Sequence, residues 1–175
     1  MIQELLGRSS GEILVFTDAD TVFSSSTVRE LVLPYSSPEV GCVDGSRRNS
    51  LDKETCESIY WKFEKSIKEL CSRMGAVLGA TGAVFSVRRD LFKPLSPRRA
   101  DDFELAVMVR LQGYDCVFNQ KATAMEPSPD DSRQYRRMVR IVSWMMISGL
   151  LMMGRALGRG KLMLFFQLLF HKLLR

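Results

Sequence analysis

The sequence predicts an α/β layered fold, a sheet with flanking helices, and three observations carry that prediction. Short apolar runs such as Ile13–Phe16 and Val40–Val43 have the length of buried strands. Longer segments such as Leu51–Met74 and Asp102–Gln112 have apolar residues at helical spacing. The chain has 175 residues, 46% of them apolar, which is enough to form the core of one domain.

In the first half of the chain, the strand Ile13–Phe16 is expected to be buried in the manner of a parallel sheet. A helix is predicted from Thr27 to Leu33, because Pro34 stops it. The second strand, Val40–Val43, is expected to end at Asp44.

In the second half, the helix Leu51–Met74 has its apolar residues on one face, the pattern of a helix that packs on a core. These residues are Ile59, Phe63, Ile67 and Leu70. The Gly-rich segment Gly75–Gly82 is predicted to be a loop, and the strand Ala83–Val87 follows it. The last predicted strands are Tyr114–Phe118 and Ala122–Met125.

The end of the chain differs from the rest in charge. Residues 133–175 hold nine Lys or Arg and no Asp or Glu, whereas residues 1–132 hold 16 basic and 20 acidic groups. The uncharged run Ile141–Gly154 is shorter than the ~20 apolar residues of a membrane span. With Leu162–Phe170 it predicts two short helices at an anionic membrane surface rather than a nucleic-acid site, the alternative being a pair of core helices. We therefore divide the chain into a body, 1–132, and interface helices, 133–175.

The four cysteines and the single histidine exclude two classes of site. No two cysteines have CxxC spacing, so neither a zinc site nor a disulfide framework is expected. Reduced cysteines in a cytosolic compartment are the expected state.

Two acidic pairs are candidates for chemistry. Asp18 and Asp20 follow a strand, where two carboxylates could share a Mg²⁺ or Mn²⁺ ion that also binds phosphate oxygens. The alternative is a pair that caps the following segment. Asp101 and Asp102 open a helix, where Asp102 could accept a proton from a hydroxyl nucleophile or could be a plain N-cap.

Two further segments have the composition of ligand-binding sites. The residues Gly79, Ala80, Thr81 and Gly82 are small enough for a ligand to approach the backbone, although an ordinary tight turn has the same composition. Arg136, Arg137 and Arg140 could bind a diphosphate, or they could form a solvated or lipid-facing helix surface.

The order of these motifs resembles the membrane-associated, processive-type glycosyltransferases of family two, the group with the cellulose, chitin and hyaluronan synthases. The motifs are Thr-Asp-Ala-Asp after a strand, Gly-Ala-Thr-Gly-Ala-Val-Phe-Ser-Val-Arg-Arg, Asp-Asp-Phe-Glu-Leu-Ala, and an arginine-rich segment before apolar helices. The resemblance runs from about Gly11 to the end of the chain. It implies a GT-A-like (Rossmann-like) mixed sheet with flanking helices.

The resemblance also implies roles. Asp18 and Asp20 match the DxD motif that binds the divalent metal, Mg²⁺ or Mn²⁺, and the diphosphate of a nucleotide sugar. Asp102 matches the base that deprotonates the acceptor hydroxyl, with Asp101 in the place of a glutamate. Residues 79–82 match the loop near the acceptor.

The family's QxxRW motif can be aligned in two registers. The preferred register places Arg137 at the Gln, Arg140 at the Arg and Ile141 at the Trp. The other uses Gln134, Arg137 and Met138. Neither contains the tryptophan, so transfer of a single sugar is favoured over polymerisation. In both registers Arg137 is a diphosphate-binding candidate, and in the preferred one Arg140 is too.

By this resemblance, the expected enzyme transfers a sugar from a nucleotide-diphosphate sugar to a sugar or lipid acceptor, with inversion of the anomeric centre. A UDP-sugar is the expected donor. It would act at the cytoplasmic face of the inner membrane, in polysaccharide or glycolipid synthesis. The family's first nucleotide-binding strand and its spanning helices have no counterpart in this sequence, so we expect a fragment with little activity alone.

Two other classes stay open. Residues 16–22 also fit the strand and DxDx(T/V) pattern of haloacid dehalogenase-type phosphatases, with Asp18 as the nucleophile and Asp20 as the acid/base. The second open class is a non-catalytic adaptor at a membrane surface. The adaptor predicts that Asp18, Asp20 and Asp102 lie far apart, and the transferase predicts one cleft.

Overall fold

The computed structural model describes residues 6–49, 56–93, 101–126 and 131–173. Its centre is a five-stranded mixed sheet in the order β1-β4-β3-β5-β2. The strands are β1 (Ile13–Phe16), β2 (Val22–Phe23), β3 (Val40–Asn49), β4 (Phe85–Arg88) and β5 (Asp115–Glu126). β3 and β5 run parallel, and the three other pairings are antiparallel.

Five of the helices in the described part of the chain flank the sheet. They are α1 (Thr27–Val32), α2 (Cys56–Arg73), α3 (Asp101–Leu111), α4 (Asp131–Gly158) and α5 (Leu162–Leu168). Short 3₁₀ turns at Leu33–Ser36 and Arg89–Leu91 follow α1 and β4, and a π-helical turn at Leu169–Leu173 follows α5.

The core consists of three apolar clusters that define the layers. Leu31 of α1 packs with Val43 and Val84 on one face of the sheet. Leu105 of α3 packs with residues of β3, β4 and β5 on the other face. The opposite side of α3 packs on α4 and α5, which gives a further layer. α3 is therefore buried on two sides, which explains why its apolar residues are distributed around the helix rather than along one face.

The α/β class and the mixed sheet are confirmed, but the environment predicted for the first strand is wrong. β1 lies at the edge of the sheet and pairs antiparallel with β4. Val15 is 37% exposed, so this strand is not buried on both faces. A continuous apolar run of four residues is compatible with either environment, and only the pairing distinguishes them.

Two predicted strand boundaries are also wrong. β3 continues past Asp44 as far as Asn49, with a shift of register between Gly45 and Ser46. β5 is one strand through residues 115–126, where two short strands were expected. The polar residues in these strands interrupted the apolar pattern, but they pair with each other across the sheet.

Helix α2 contacts the sheet through a side that the apolar pattern did not indicate. Phe63 and Leu70 are 57% and 59% exposed, so the prediction of a buried face is wrong for both. Ser72 instead faces β5, and its Oγ accepts a hydrogen bond from the backbone N–H of Phe118 at 2.7 Å. Lys68 faces β3. The polar side of the helix faces the sheet because the sheet has polar groups there, the Asp44 carboxylate and the Phe118 N–H, that bond to Lys68 and Ser72.

Helix α4 is one continuous helix of 28 residues, and the predicted apolar run Ile141–Gly154 lies within it. Within the described residues, one segment, Met138–Gly158, is long and apolar enough to cross a membrane by length and composition, and 22% of it is buried. It is held to α3 by a hydrogen bond of 2.7 Å from Ser148 Oγ to Glu104 Oε1. The division of the chain at residue 132 stays a prediction, although α4 and α5 share a core cluster with α3.

Candidate functional site

The first candidate pair, Asp18 and Asp20, lies just beyond the end of β1. Both side chains are exposed, and the backbone turns there, with the Thr21 N–H donating to the Asp18 carbonyl at 3.2 Å. The strand before them is anchored by Phe16, whose ring stacks on that of Phe85 at 4.6 Å. The two carboxylates are therefore held by a packed strand end while remaining open to solvent.

These two carboxylates have the chemistry of a partial metal site. Oxygen ligands suit Mg²⁺ and Mn²⁺, which commonly take one or two carboxylates and complete their shell with water and phosphate oxygens. No group of three or more His, Cys, Asp or Glu that could hold a metal occurs within the described ranges. The pair thus fits a metal shared with a ligand better than a metal enclosed by protein.

The second candidate, the loop Gly79–Gly82, connects the end of α2 to β4. Gly79 has φ of 99°, a value that side-chain-bearing residues rarely adopt. Thr81 is held at its backbone, where its N–H donates to Asp44 Oδ1 at 2.6 Å and its carbonyl accepts from the Val84 N–H at 2.9 Å. The loop is a fixed turn rather than a free one.

The third candidate, Asp102, lies in the first turn of α3 and against the loop. A Cβ built on Gly82 would lie 3.2 Å from Asp102 Oδ2, so the loop passes close to this carboxylate. Asp102 Oδ1 accepts a hydrogen bond of 2.8 Å from the Phe103 N–H. The structure therefore brings together Asp102 and the loop. Asp101 begins α3, but its side chain lies outside the described residues.

The sheet register brings the segment after β1 and the loop before β4 to the same end of these two paired strands. Phe16 at the end of β1 is paired with Phe85 at the start of β4. Asp18 lies two residues after Phe16, and Gly82 lies three residues before Phe85. The first acidic pair and the loop that contacts Asp102 thus leave the sheet at neighbouring positions, and the prediction that all three aspartates face one cleft stays a prediction.

The arginines of the fourth candidate are on α4. Arg140 is exposed, and its guanidinium lies 5.4 Å from the centroid of the Trp144 ring. The side chain of Arg137 lies outside the described residues. Among the described side chains, no hydrogen bond or ion pair joins Arg140 to the acidic positions, so its role as a diphosphate ligand stays a prediction.

Two groups that the sequence did not single out lie at this loop, and a third lies beside Arg140 on α4. Asp44 and Lys68 form an ion pair of 2.6 Å beneath the loop. Trp144 stacks on Arg140 one turn after the predicted QxxRW position. The signal for Asp44 was weak, because a single acid in a strand looks like the end of that strand.

The titratable groups with clear shifts lie in the core. A hydrogen bond with Cys116 and burial raise the pKa of the Cys42 thiol. Burial raises the pKa of Cys71 and raises the pKa of the Tyr35 phenol well above its usual range. These groups stay protonated at neutral pH, so the two cysteines are structural and do not supply a thiolate nucleophile.

The solved structures with a similar fold include sugar transferases. A mannosyltransferase from Pyrobaculum calidifontis, in complex with GDP-Man and Mn²⁺, superposes with a TM-score of 0.71 at 21% identity, over 85% of this chain and 41% of that one. Glucosyl-3-phosphoglycerate synthase from Mycobacterium tuberculosis, in complex with Mn²⁺, UDP-Glc and phosphoglyceric acid, has a TM-score of 0.58 at 16% identity, over 84% and 53%. At this identity the similarity shows the fold, which is GT-A-like.

Sequence comparison gives the family. An N-acetylglucosaminyltransferase of Rhizobium meliloti (strain 1021) is 24% identical over 75% of this chain and 35% of the relative's length. The chain therefore spans about a third of that curated relative. The model of the family described as glycosyltransferase like family 2 matches residues 1–143, which is most of the chain, and the protein belongs to this family.

Proposed function

We propose that this protein forms part of an inverting glycosyltransferase that moves a sugar from a nucleotide-diphosphate sugar to a hydroxyl group. One observation carries the proposal. The Asp102 carboxylate lies against Gly82, at the sheet edge where Asp18 and Asp20 also emerge. Family membership supports the transferase over the phosphatase, and the shared edge supports it over the adaptor.

Asp102 would act as the general base. Its carboxylate takes the proton from the acceptor hydroxyl as that oxygen attacks the anomeric carbon of the donor sugar. The bond from the anomeric carbon to the diphosphate oxygen breaks in the same displacement, and the nucleoside diphosphate leaves. A single displacement inverts the anomeric centre, so an α-linked donor gives a β-glycoside.

Asp18 and Asp20 would hold a divalent cation, Mg²⁺ or Mn²⁺, together with the donor diphosphate. Bound there, the cation supplies neutralisation of charge on the leaving group. Mn²⁺ is present in the named complexes of both similar transferases, which supports the assignment. Arg137 and Arg140 are proposed to bind the same diphosphate from α4, as guanidinium groups commonly do.

The relatives support a nucleotide sugar as the proposed donor. GDP-Man and UDP-Glc occur in the complexes of the similar structures, and the curated relative is an N-acetylglucosaminyltransferase. We propose a UDP-sugar as the first donor to test and a sugar or lipid hydroxyl as the acceptor. The product would be a polysaccharide or a glycolipid.

The proposed location is the cytoplasmic face of the membrane. Large apolar side chains on the outer side of α4 and α5, among them Leu150, Met163 and Phe166, are 50% exposed or more. Arg155, Arg159 and Lys161 lie between them and are exposed. An apolar surface with basic and no acidic residues fits the interface of an anionic bilayer. Co-sedimentation with vesicles that contain anionic lipid tests this proposal, and binding that is equal with neutral vesicles contradicts the electrostatic part.

The transferase proposal is tested by nucleotide binding. UDP and GDP are titrated into the purified protein with and without Mn²⁺, and the same titrations are made with Asp20→Ala. Metal-dependent binding that Asp20→Ala removes is the expected result. Asp90→Ala is the control, because Asp90 is also an exposed aspartate but belongs to the 3₁₀ turn after β4. Equal loss in the control contradicts the proposed role of Asp20.

A further inference from the structure

A buried ion pair joins the central strand β3 to the loop. The Asp44 side chain is 1% exposed, and its Oδ2 accepts a bond of 2.6 Å from Lys68 Nζ. Its Oδ1 accepts the backbone N–H of Thr81 at 2.6 Å. Lys68 Nζ also donates to Thr81 Oγ1 at 3.0 Å. One carboxylate and one ammonium group therefore hold both the backbone and the side chain of a single loop residue.

A single residue, Gly82, connects this bonded loop residue to the candidate base Asp102. Gly82 follows Thr81, and the space where its Cβ would lie is 3.2 Å from Asp102 Oδ2. A shift of Thr81 therefore moves the backbone against which the Asp102 carboxylate lies.

General stability does not account for an ion pair at this position. A buried pair costs much of what its attraction supplies, because both charges lose water. The Lys68 side chain is 25% exposed, and its ammonium also lies 5.7 Å from the centroid of the Phe118 ring. The apolar side of α2, with Phe63 and Leu70, stays exposed while this lysine faces inward. The helix is oriented to place a cation under the loop, which favours a role in fixing its geometry.

We propose that Asp44 and Lys68 are positioning residues that fix the Gly79–Gly82 loop against Asp102 and thereby set the site of acceptor deprotonation. The role in transfer depends on the function proposed above. The role in loop geometry does not depend on it. Neither residue touches the reacting atoms in this proposal, and both act through Thr81.

The experiment compares Lys68→Met with a matched control, Arg110→Met. Both replace a cation of an ion pair whose side chain is mostly buried, 25% exposed for Lys68 and 21% for Arg110, and Arg110 is paired with Asp115 at 3.2 Å. The double variant Asp44→Asn/Lys68→Met removes both charges, so it leaves no unpaired carboxylate to disturb folding. Circular dichroism confirms that each variant is folded.

Three quantities are measured in each variant. The first is hydrogen exchange at the amides of Thr81, Gly82 and Phe103, the last of which donates to Asp102. The second is Mn²⁺-dependent binding of UDP. The third is the rate of UDP release from UDP-Glc, which is transfer of the sugar to water. Lys68→Met and the double variant are expected to speed exchange at these amides about tenfold or more, because the loop opens more easily.

In the same variants, kcat is expected to fall about tenfold to a hundredfold, because the base is misplaced, while KM and UDP affinity stay unchanged. Arg110→Met should change none of these quantities.

Exchange in Lys68→Met that equals the control overturns the inference. So does weaker UDP binding with a protected loop, because Lys68 would then contact the diphosphate directly. A wild-type protein that does not bind UDP in the presence of Mn²⁺ contradicts the proposed function, and the exchange data still decide the loop geometry.

Discussion

The two acidic positions of this protein have opposite surroundings. Asp18 and Asp20 lie beyond the end of an edge strand and are exposed. Asp102 lies in the first turn of a helix that packs between the sheet and two further helices, and its carboxylate lies against a loop held by a buried ion pair. Exposed oxygen ligands suit a metal that arrives with its ligand, whereas a half-buried carboxylate held against a fixed loop suits a proton transfer that needs a fixed geometry. The difference fits the two roles proposed above for these positions.

The largest expected effect separates proton transfer from binding. Asp102→Asn should lower the transfer rate by about 10²–10⁴-fold, the usual contribution of a general base. Mn²⁺-dependent affinity for UDP should stay the same, because Asp18 and Asp20 are untouched. Parallel rate and calorimetric measurements check this. Loss of UDP binding in Asp102→Asn would remove the distinction between the two positions.

A substitution in the exposed pair should affect metal and nucleotide binding. Asp18→Asn should weaken Mn²⁺-dependent UDP binding by at least about tenfold, since even indirect partners of metal ligands contribute 10–100-fold. The asparagine keeps the size of the side chain and removes its charge. Titration of UDP at several Mn²⁺ concentrations measures the effect. An unchanged metal dependence would show that this carboxylate is not a ligand.

A smaller effect is expected where the loop meets the base. Gly82→Ala places a methyl group 3.2 Å from Asp102 Oδ2 and forces a shift of a few tenths of an ångström. We expect kcat to fall by about tenfold with KM unchanged, because misplacement by a full ångström costs about a hundredfold. Gly149→Ala on α4 is the control, because its Cβ would meet nothing within 4 Å. Equal rates for the two variants would contradict the close approach.

The smallest effect concerns the layer behind Asp102. Ser148→Ala removes the bond to Glu104 between α4 and α3, so the free energy of unfolding should fall by about 1 kcal/mol. Ser143→Ala on the same helix removes only an exposed bond to the Val139 carbonyl and should have little effect. Denaturant titration of both variants measures the difference. If Ser143→Ala is equally destabilised, the interface between the helices is not the cause.

Prediction from the sequence succeeded where local chemistry decides the structure. The Gly-rich composition of 75–82 indicated a loop, and the acidic start of the segment Asp102–Gln112 indicated a helix beginning within one residue of the observed one. It failed where a distant partner decides. β2 is two residues long and exists because Val22 and Phe23 pair with β5. The polar half of β3 pairs with β5 rather than ending at Asp44.

The sequence by itself determined the α/β class and the candidate residues of the site. Apolar periodicity and turn composition are local properties, and acidic pairs at element ends can be read without a partner. Only the tertiary structure decided that Gly82 lies on Asp102, that Lys68 faces the sheet while Phe63 faces solvent, and that β1 is an edge strand. These features depend on groups far apart in the chain that compete for the same space and the same hydrogen bonds, and that competition is settled only when the layers pack.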